Sequence, residues 1–152
     1  MEKNKGISMI ELVIVIIIMI LIASFAIFSG INSIQKAEAT ELYAEMSNLM
    51  KAVNGVMVQR ELERGGSDWI VKNGYCESGD NGTNGWFTVY GVGDSHYEES
   101  NLRKKLDMDT IKRNYMVNYD TGEVVLSTPI EIFGNSIRTY DSLRALVESD
   151  KI

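Results

Sequence analysis

The hydrophobic pattern of the chain changes once, near residue 30. Residues 7–28 are apolar at almost every position, interrupted by Ser8, Ser24 and a single charge, Glu11. Twenty-two such residues make about 33 Å of α-helix, enough to cross a hydrocarbon core of about 30 Å. Beyond Gly30 the apolar positions become one-sided. Ile31, Leu42, Met46, Leu49, Val53, Val56 and Met57 fall within a stripe about 100° wide, with Lys36, Lys51, Asn54 and Glu61 opposite. Ala37, Ala39, Ala44 and Ala52 favour a helix, no proline interrupts it, and Gly65 and Gly66 supply a stop. The two patterns join into one predicted helix over residues 8–64, about 85 Å long. The stripe is too short and irregular for a coiled coil, so the second half is expected to pack on a globular head.

After the helix the periodicity becomes that of strands and turns. The stretch GYCESGDNGTNG, residues 74–85, breaks regular structure, and WFTVY, residues 86–90, reads as a strand. Ser95 and Glu98 have capping-box spacing, ahead of a short helix that buries Leu102, Leu106 and Ile111. YMVNYDTGEVVLS predicts an antiparallel hairpin, residues 115–119 and 123–127, turning at Asp120, Thr121 and Gly122. Two further strands, residues 130–133 and 136–140, flank Gly134. Asp141 then caps a last helix with Leu143, Leu146 and Val147 facing inward. The expected fold class is α+β: a long N-terminal helix, membrane-spanning in its first half and amphipathic in its second, on a small antiparallel sheet with short accessory helices.

Composition narrows the chemistry. Fifteen basic and twenty-one acidic side chains give a net charge of −6, and no basic face emerges, so a nucleic-acid partner is not expected. Cys76 is the sole cysteine, which excludes an intramolecular disulfide and a four-cysteine zinc site and reads as a packed thiol. His96, also alone, reads as a surface or turn residue. Glu77, Asp80, Asn81 and Asn84 could offer oxygens to calcium, but their spacing departs from that of a calcium-binding loop, and an exposed connection is the better reading. Asp107 and Asp109 read as a loop or cap. The glycines of residues 79–85 lack the Lys-Ser/Thr of a phosphate-binding loop. No catalytic residue, metal or cofactor is expected, and the chain does not read as an enzyme.

Glu11 is the residue that demands an explanation, since an acid at the centre of a spanning helix costs roughly 2.5–3.5 kcal/mol. Lys3 and Lys5 precede the apolar run, whereas Lys36 after it is answered by Glu38, Glu41 and Glu45, a bias that places the N-terminus in the cytoplasm. One reading is an uncleaved anchor holding a binding head outside the cell. Another is a secretory signal cut after Ala26, with Ser24 at the −3 position; its apolar core would be long, and Glu11 would sit badly in it. In a third, MEKNKG is a leader and the mature chain begins ISMIELVIVIII. Here the sequence resembles the type IV pilin and pseudopilin family: a short basic leader ending in Gly, then an apolar helix with Glu fifth. Two features depart from that family: Ile7 stands where Phe is usual, and Phe28 stands where a helix-kinking proline often lies. Ser29 and Gly30 could supply the weak point instead.

The resemblance implies cleavage between Gly6 and Ile7 by a prepilin peptidase, N-methylation of Ile7, and assembly through Glu11, which would neutralise the N-terminal amine of a neighbouring subunit. It divides the chain into a leader (1–6), a transmembrane and filament-core helix (7–30), and the amphipathic half-helix with its head (31–152). The implied partners are the peptidase, other pilin subunits, an inner-membrane assembly platform with its ATPase, and membrane lipid before assembly. The implied location is the cytoplasmic membrane as a single-pass precursor, then an extracellular filament. NYDTGEV also looks like the sheet of pilin-like heads from Gram-positive relatives. The late Trp-Gly and Pro-Tyr signature of a major secretion pseudopilin is absent, which favours a pilus subunit, and a minor one, over a secretion or competence pseudopilin.

Overall fold

A computed structural model of the chain describes residues 9–77, 79–96 and 102–149. Its fold is α+β: α1 (Met9–Leu62), α2 (Trp69–Lys72), β1 (Trp86–Val89), α3 (Leu102–Lys105), β2 (Tyr115–Asn118), β3 (Val124–Ile132), β4 (Asn135–Thr139) and α4 (Tyr140–Glu148). The chain divides into two compact units, and the boundary falls inside α1, between Ala37 and Glu38.

In the first unit the described residues are helix alone. The helix continues through Ser29 and Gly30, so the weak point expected there is not a break. Ile31, expected on the buried stripe, is 49% exposed and belongs with the apolar residues before it.

In the second unit α1 buries a single seam, Ala39, Leu42, Met46, Leu49, Val53 and Val56, whose alternating three- and four-residue steps keep one side of a helix inward. The four strands lie in chain order and every neighbouring pair is antiparallel. Phe87, Val89, Tyr115, Val117, Val124 and Leu126 point from one face of the sheet into a core shared with that seam. Leu102, Leu106 and Ile111 are buried as the sequence predicts.

Several boundaries fall elsewhere than predicted. Residues 123–127 and 130–133 were expected as separate strands, but β3 runs through Pro129. The register against β4 shifts between Val125 and Ile130, and exposed Thr128 and Pro129 lie in that irregular stretch, where a missing backbone N–H is tolerated. The β3–β4 turn is Phe133-Gly134, both at positive φ, the geometry of the two-residue hairpin turns that match strand twist. The cap of α4 is Thr139, not Asp141. Thr139 Oγ1 accepts from Ser142 N at 3.2 Å and Thr139 N donates to Ser142 Oγ at 3.2 Å, because Asp141 already lies inside the first turn. In α4, Leu143 and Leu146 are buried but Val147 is exposed.

The stop of α1 is also displaced. The left-handed residue is Arg64 (φ 53°), with Gly65 N donating to Arg60 O at 2.8 Å and Arg64 N to Glu61 O at 3.1 Å. Gly65 has a different role: a Cβ there would lie 2.4 Å from the Trp69 ring.

Candidate functional site

The apolar part of α1 carries the feature that sequence singled out. From Leu12 to Ile22 there is no polar side chain, so the helix is apolar on every face. Its large side chains are exposed along the whole run: Ile16 is 47% accessible and Phe25 74%. α1 as a whole is long and apolar enough, by length and composition, to cross a membrane. A helix that is hydrophobic all round requires an apolar environment on all sides, either lipid or other helices. Two serine hydroxyls along α1 are satisfied within the helix. Ser24 Oγ donates to Ile20 O at 2.8 Å and Ser33 Oγ to Ser29 O at 3.0 Å, so neither hydroxyl needs a partner from outside.

Glu11 lies in the first turn of α1 as it is described, exposed among these residues. Gly6 and Ile7, the expected processing site, and the leader lysines lie outside the described residues, as does Glu98 of the expected capping box.

A second cluster fastens α1 to the head, and sequence reasoning saw only half of it. Glu38, Glu41 and Glu45 step along one side of the helix and meet two cations that precede β2. Lys112 Nζ lies 2.6 Å from Glu41, and the Arg113 guanidinium reaches Glu38 at 3.3 Å and Glu45 at 3.4 Å. Tyr115 OH donates to Glu45 Oε2 at 2.5 Å, and Lys112 N donates to Glu45 Oε1 at 2.9 Å. The hydrogen bond from Lys112 holds the Glu41 carboxyl below its usual range. Burial, then the bond to Glu45, pushes the Tyr115 hydroxyl far up, so it stays a donor at every physiological pH. Gly91 makes room for this cluster: a Cβ there would lie 2.5 Å from Arg113 O.

The loop of residues 74–85 is built on its own backbone. Asp80 Oδ1 accepts from Gly82 N at 3.0 Å and Oδ2 from Thr88 N at 3.1 Å, so both carboxylate oxygens organise the loop. Asn84 and Gly85, both at positive φ, form a tight turn closed by the Thr83–Trp86 bridge. That bridge, with the Asp80 contact, also covers the outer edge of β1. Cys76 is half-buried against the core, and burial raises its thiol pKa, the opposite of what a nucleophile requires.

His96 is an exposed turn residue whose N and Nδ1 both lie 2.9 Å from Asp94 Oδ1, and its ring stacks on Tyr90. The backbone N–H of His96, then the Asn114 amide, lower the Asp94 pKa to about 2. Asp107 closes α3 at φ 57°, and Asp109 lies 3.3 Å from Arg103, so these two acids have separate structural roles.

Comparison with known proteins returns no match: no protein-family model, no curated protein and no solved structure matches this chain.

Proposed function

We propose that the chain is a structural subunit, a minor one, of a type IV pilus-like surface filament, cut after Gly6, methylated at Ile7 and polymerised through α1. The observation that carries this reading is a helix apolar on every face over residues 12–22, with one carboxylate, Glu11, just before that run. An anchor needs the apolar residues but not the acid. In a filament the acid has a partner: the α-amine that cleavage creates on the next subunit. Two charges that are each costly in a low-dielectric bundle become tolerable as a pair, and removing one member of such a pair typically costs about 3–5 kcal/mol. Glu11 then sets the register between subunits.

The precursor sits in the cytoplasmic membrane with its N-terminus inside and its head outside, until an assembly platform and ATPase draw it into the filament. Its partners are the prepilin peptidase and other subunits; the α+β head contributes the outer surface. The test is Glu11→Ala in cells that assemble the filament. Membrane insertion is expected to be unchanged, because the substitution makes the helix more apolar, while the protein in sheared surface filaments falls to background. Normal incorporation of the variant would remove Glu11 from the mechanism.

A further inference from the structure

Tyr43 of α1 and Tyr140, the first residue of α4, pair across the head. Their ring centroids are 5.2 Å apart and their planes 33° from parallel, within the ~4.5–7 Å of paired aromatic side chains. The Tyr140 hydroxyl donates to the Tyr43 hydroxyl at 2.8 Å, so the phenolic ends of the two rings meet. Neither hydroxyl has another partner among the described residues, which leaves the Tyr43 O–H able to give its proton to solvent. Both rings are half-buried against the core. A cavity of about 120 Å³ opens beside Tyr140, equal to about four waters at ~30 Å³ each and roomy enough for a small oxidant.

The other described tyrosines are placed differently. Tyr75 and Tyr119 meet edge to face at 6.5 Å, and the Tyr119 hydroxyl is engaged by Tyr75 O at 3.0 Å. Tyr115 and Tyr119 are buried, and the Tyr115 hydroxyl is held by Glu45. Tyr90 stacks on His96, not on a second phenol. Among the described tyrosines, only Tyr43 and Tyr140 bring two hydroxyls together.

We propose that Tyr43 and Tyr140 are an oxidative cross-linking site, joined as dityrosine by a peroxidase-type oxidant that consumes hydrogen peroxide. Each phenol gives up one electron and its hydroxyl proton. The two radicals form a carbon–carbon bond between ring positions next to the hydroxyls, and the hydrogens displaced there return to the oxygens through water. In sum, two phenols and one hydrogen peroxide give one biphenol and two waters. A radical on either ring finds its partner already in contact, so coupling within the chain outruns coupling between chains. The bond fastens α1 to α4 across 97 positions, a covalent tie that a single cysteine cannot supply within the chain. It restricts the unfolded chain as a disulfide does, and it is independent of how the chain assembles.

The experiment treats the full chain in dodecylphosphocholine micelles with a haem peroxidase and hydrogen peroxide, then reads dityrosine fluorescence and maps peptides by mass spectrometry. In the monomeric fraction, a peptide carrying residue 43 joined to one carrying residue 140, two hydrogens lighter than their sum, is the expected product. Tyr43→Phe and Tyr140→Phe each keep the ring and its packing, and each is expected to abolish that product. Treated wild type should unfold at higher urea than untreated, with no such gain in either variant. Met50 lines the same cavity, and its thioether takes an oxygen atom from peroxide. Methionine sulfoxide there without dityrosine overturns the proposal. So does a link that joins other tyrosines or only separate chains, or fluorescence that both variants leave unchanged.

Discussion

Two stretches of the same helix are built for different surroundings. Over residues 12–22 every side chain is apolar and exposed, so no face is singled out. Over residues 38–62 the inward seam is fully apolar, while the flank carries Glu38, Glu41 and Glu45, which meet Lys112 and Arg113. The second stretch already has its packing partner within the chain. The first has none among the described residues, and its exposure on every side suits an apolar medium or a set of neighbouring helices. Apolar content alone says that a helix avoids water; its distribution around the axis says whether the partner is one surface or many.

The largest expected effect tests this difference directly. Leu49 has no accessible surface, and Leu49→Ala should destabilise the head by about 2–5 kcal/mol in chemical denaturation of the full chain in micelles. Ile16→Ala, in the first stretch, should change the same measurement by less than about 0.5 kcal/mol. Equal losses would mean that both stretches pack within the chain. Next is the ionic clasp. Arg113→Ala leaves Glu45, whose side chain is 11% exposed, without its guanidinium, and a loss of about 1.5–3 kcal/mol is expected. The clasp should also weaken in acid. The Glu41 pKa is lowered on folding, so its contribution is complete above its usual value of 4.5 and is lost as pH falls through the depressed one.

The smallest effect is local. The Asp94 carboxyl should titrate by NMR near pH 2 rather than 3.8. Its contribution to stability is complete above about 3.8 and disappears as pH falls through about 2. Asn114→Ala, which removes the 2.7 Å bond to Asp94 Oδ2, should move the midpoint upward; an unchanged midpoint would exclude Asn114 as a cause.

Much of the fold was legible because its signals are local. The β2–β3 hairpin follows from alternating β-branched residues around Asp120, Thr121 and Gly122, and the α1 seam follows from its spacing. The misreadings have local causes as well. Residues 123–127 and 130–133 read as two strands, but they are one, because Pro129 lies at an exposed irregular position where no ladder donor is needed. Thr139 and Asp141 are both acceptable caps, and only the point where β4 ends decides between them. Asn84-Gly85 carried a hairpin-turn signal that the glycine-rich composition around it obscured.

The clasp was not legible for another reason. Its acids and cations lie about 70 positions apart, and a charge on a helix face reads as solvated until the chain brings its partner back. Glu11 shows the limit of that reasoning: its motif is entirely local, but the partner proposed for it belongs to another copy of the chain.

The most direct test is therefore the mass of the protein's own N-terminus, measured on material from cells with a functional prepilin peptidase. A chain beginning at Ile7 and carrying one methyl group on its α-amine is the predicted result, because only that start creates the amine proposed to pair with Glu11. An intact Met1 would make the helix a plain anchor, and a start at Ile27 would make it a discarded secretion signal; either contradicts the filament reading.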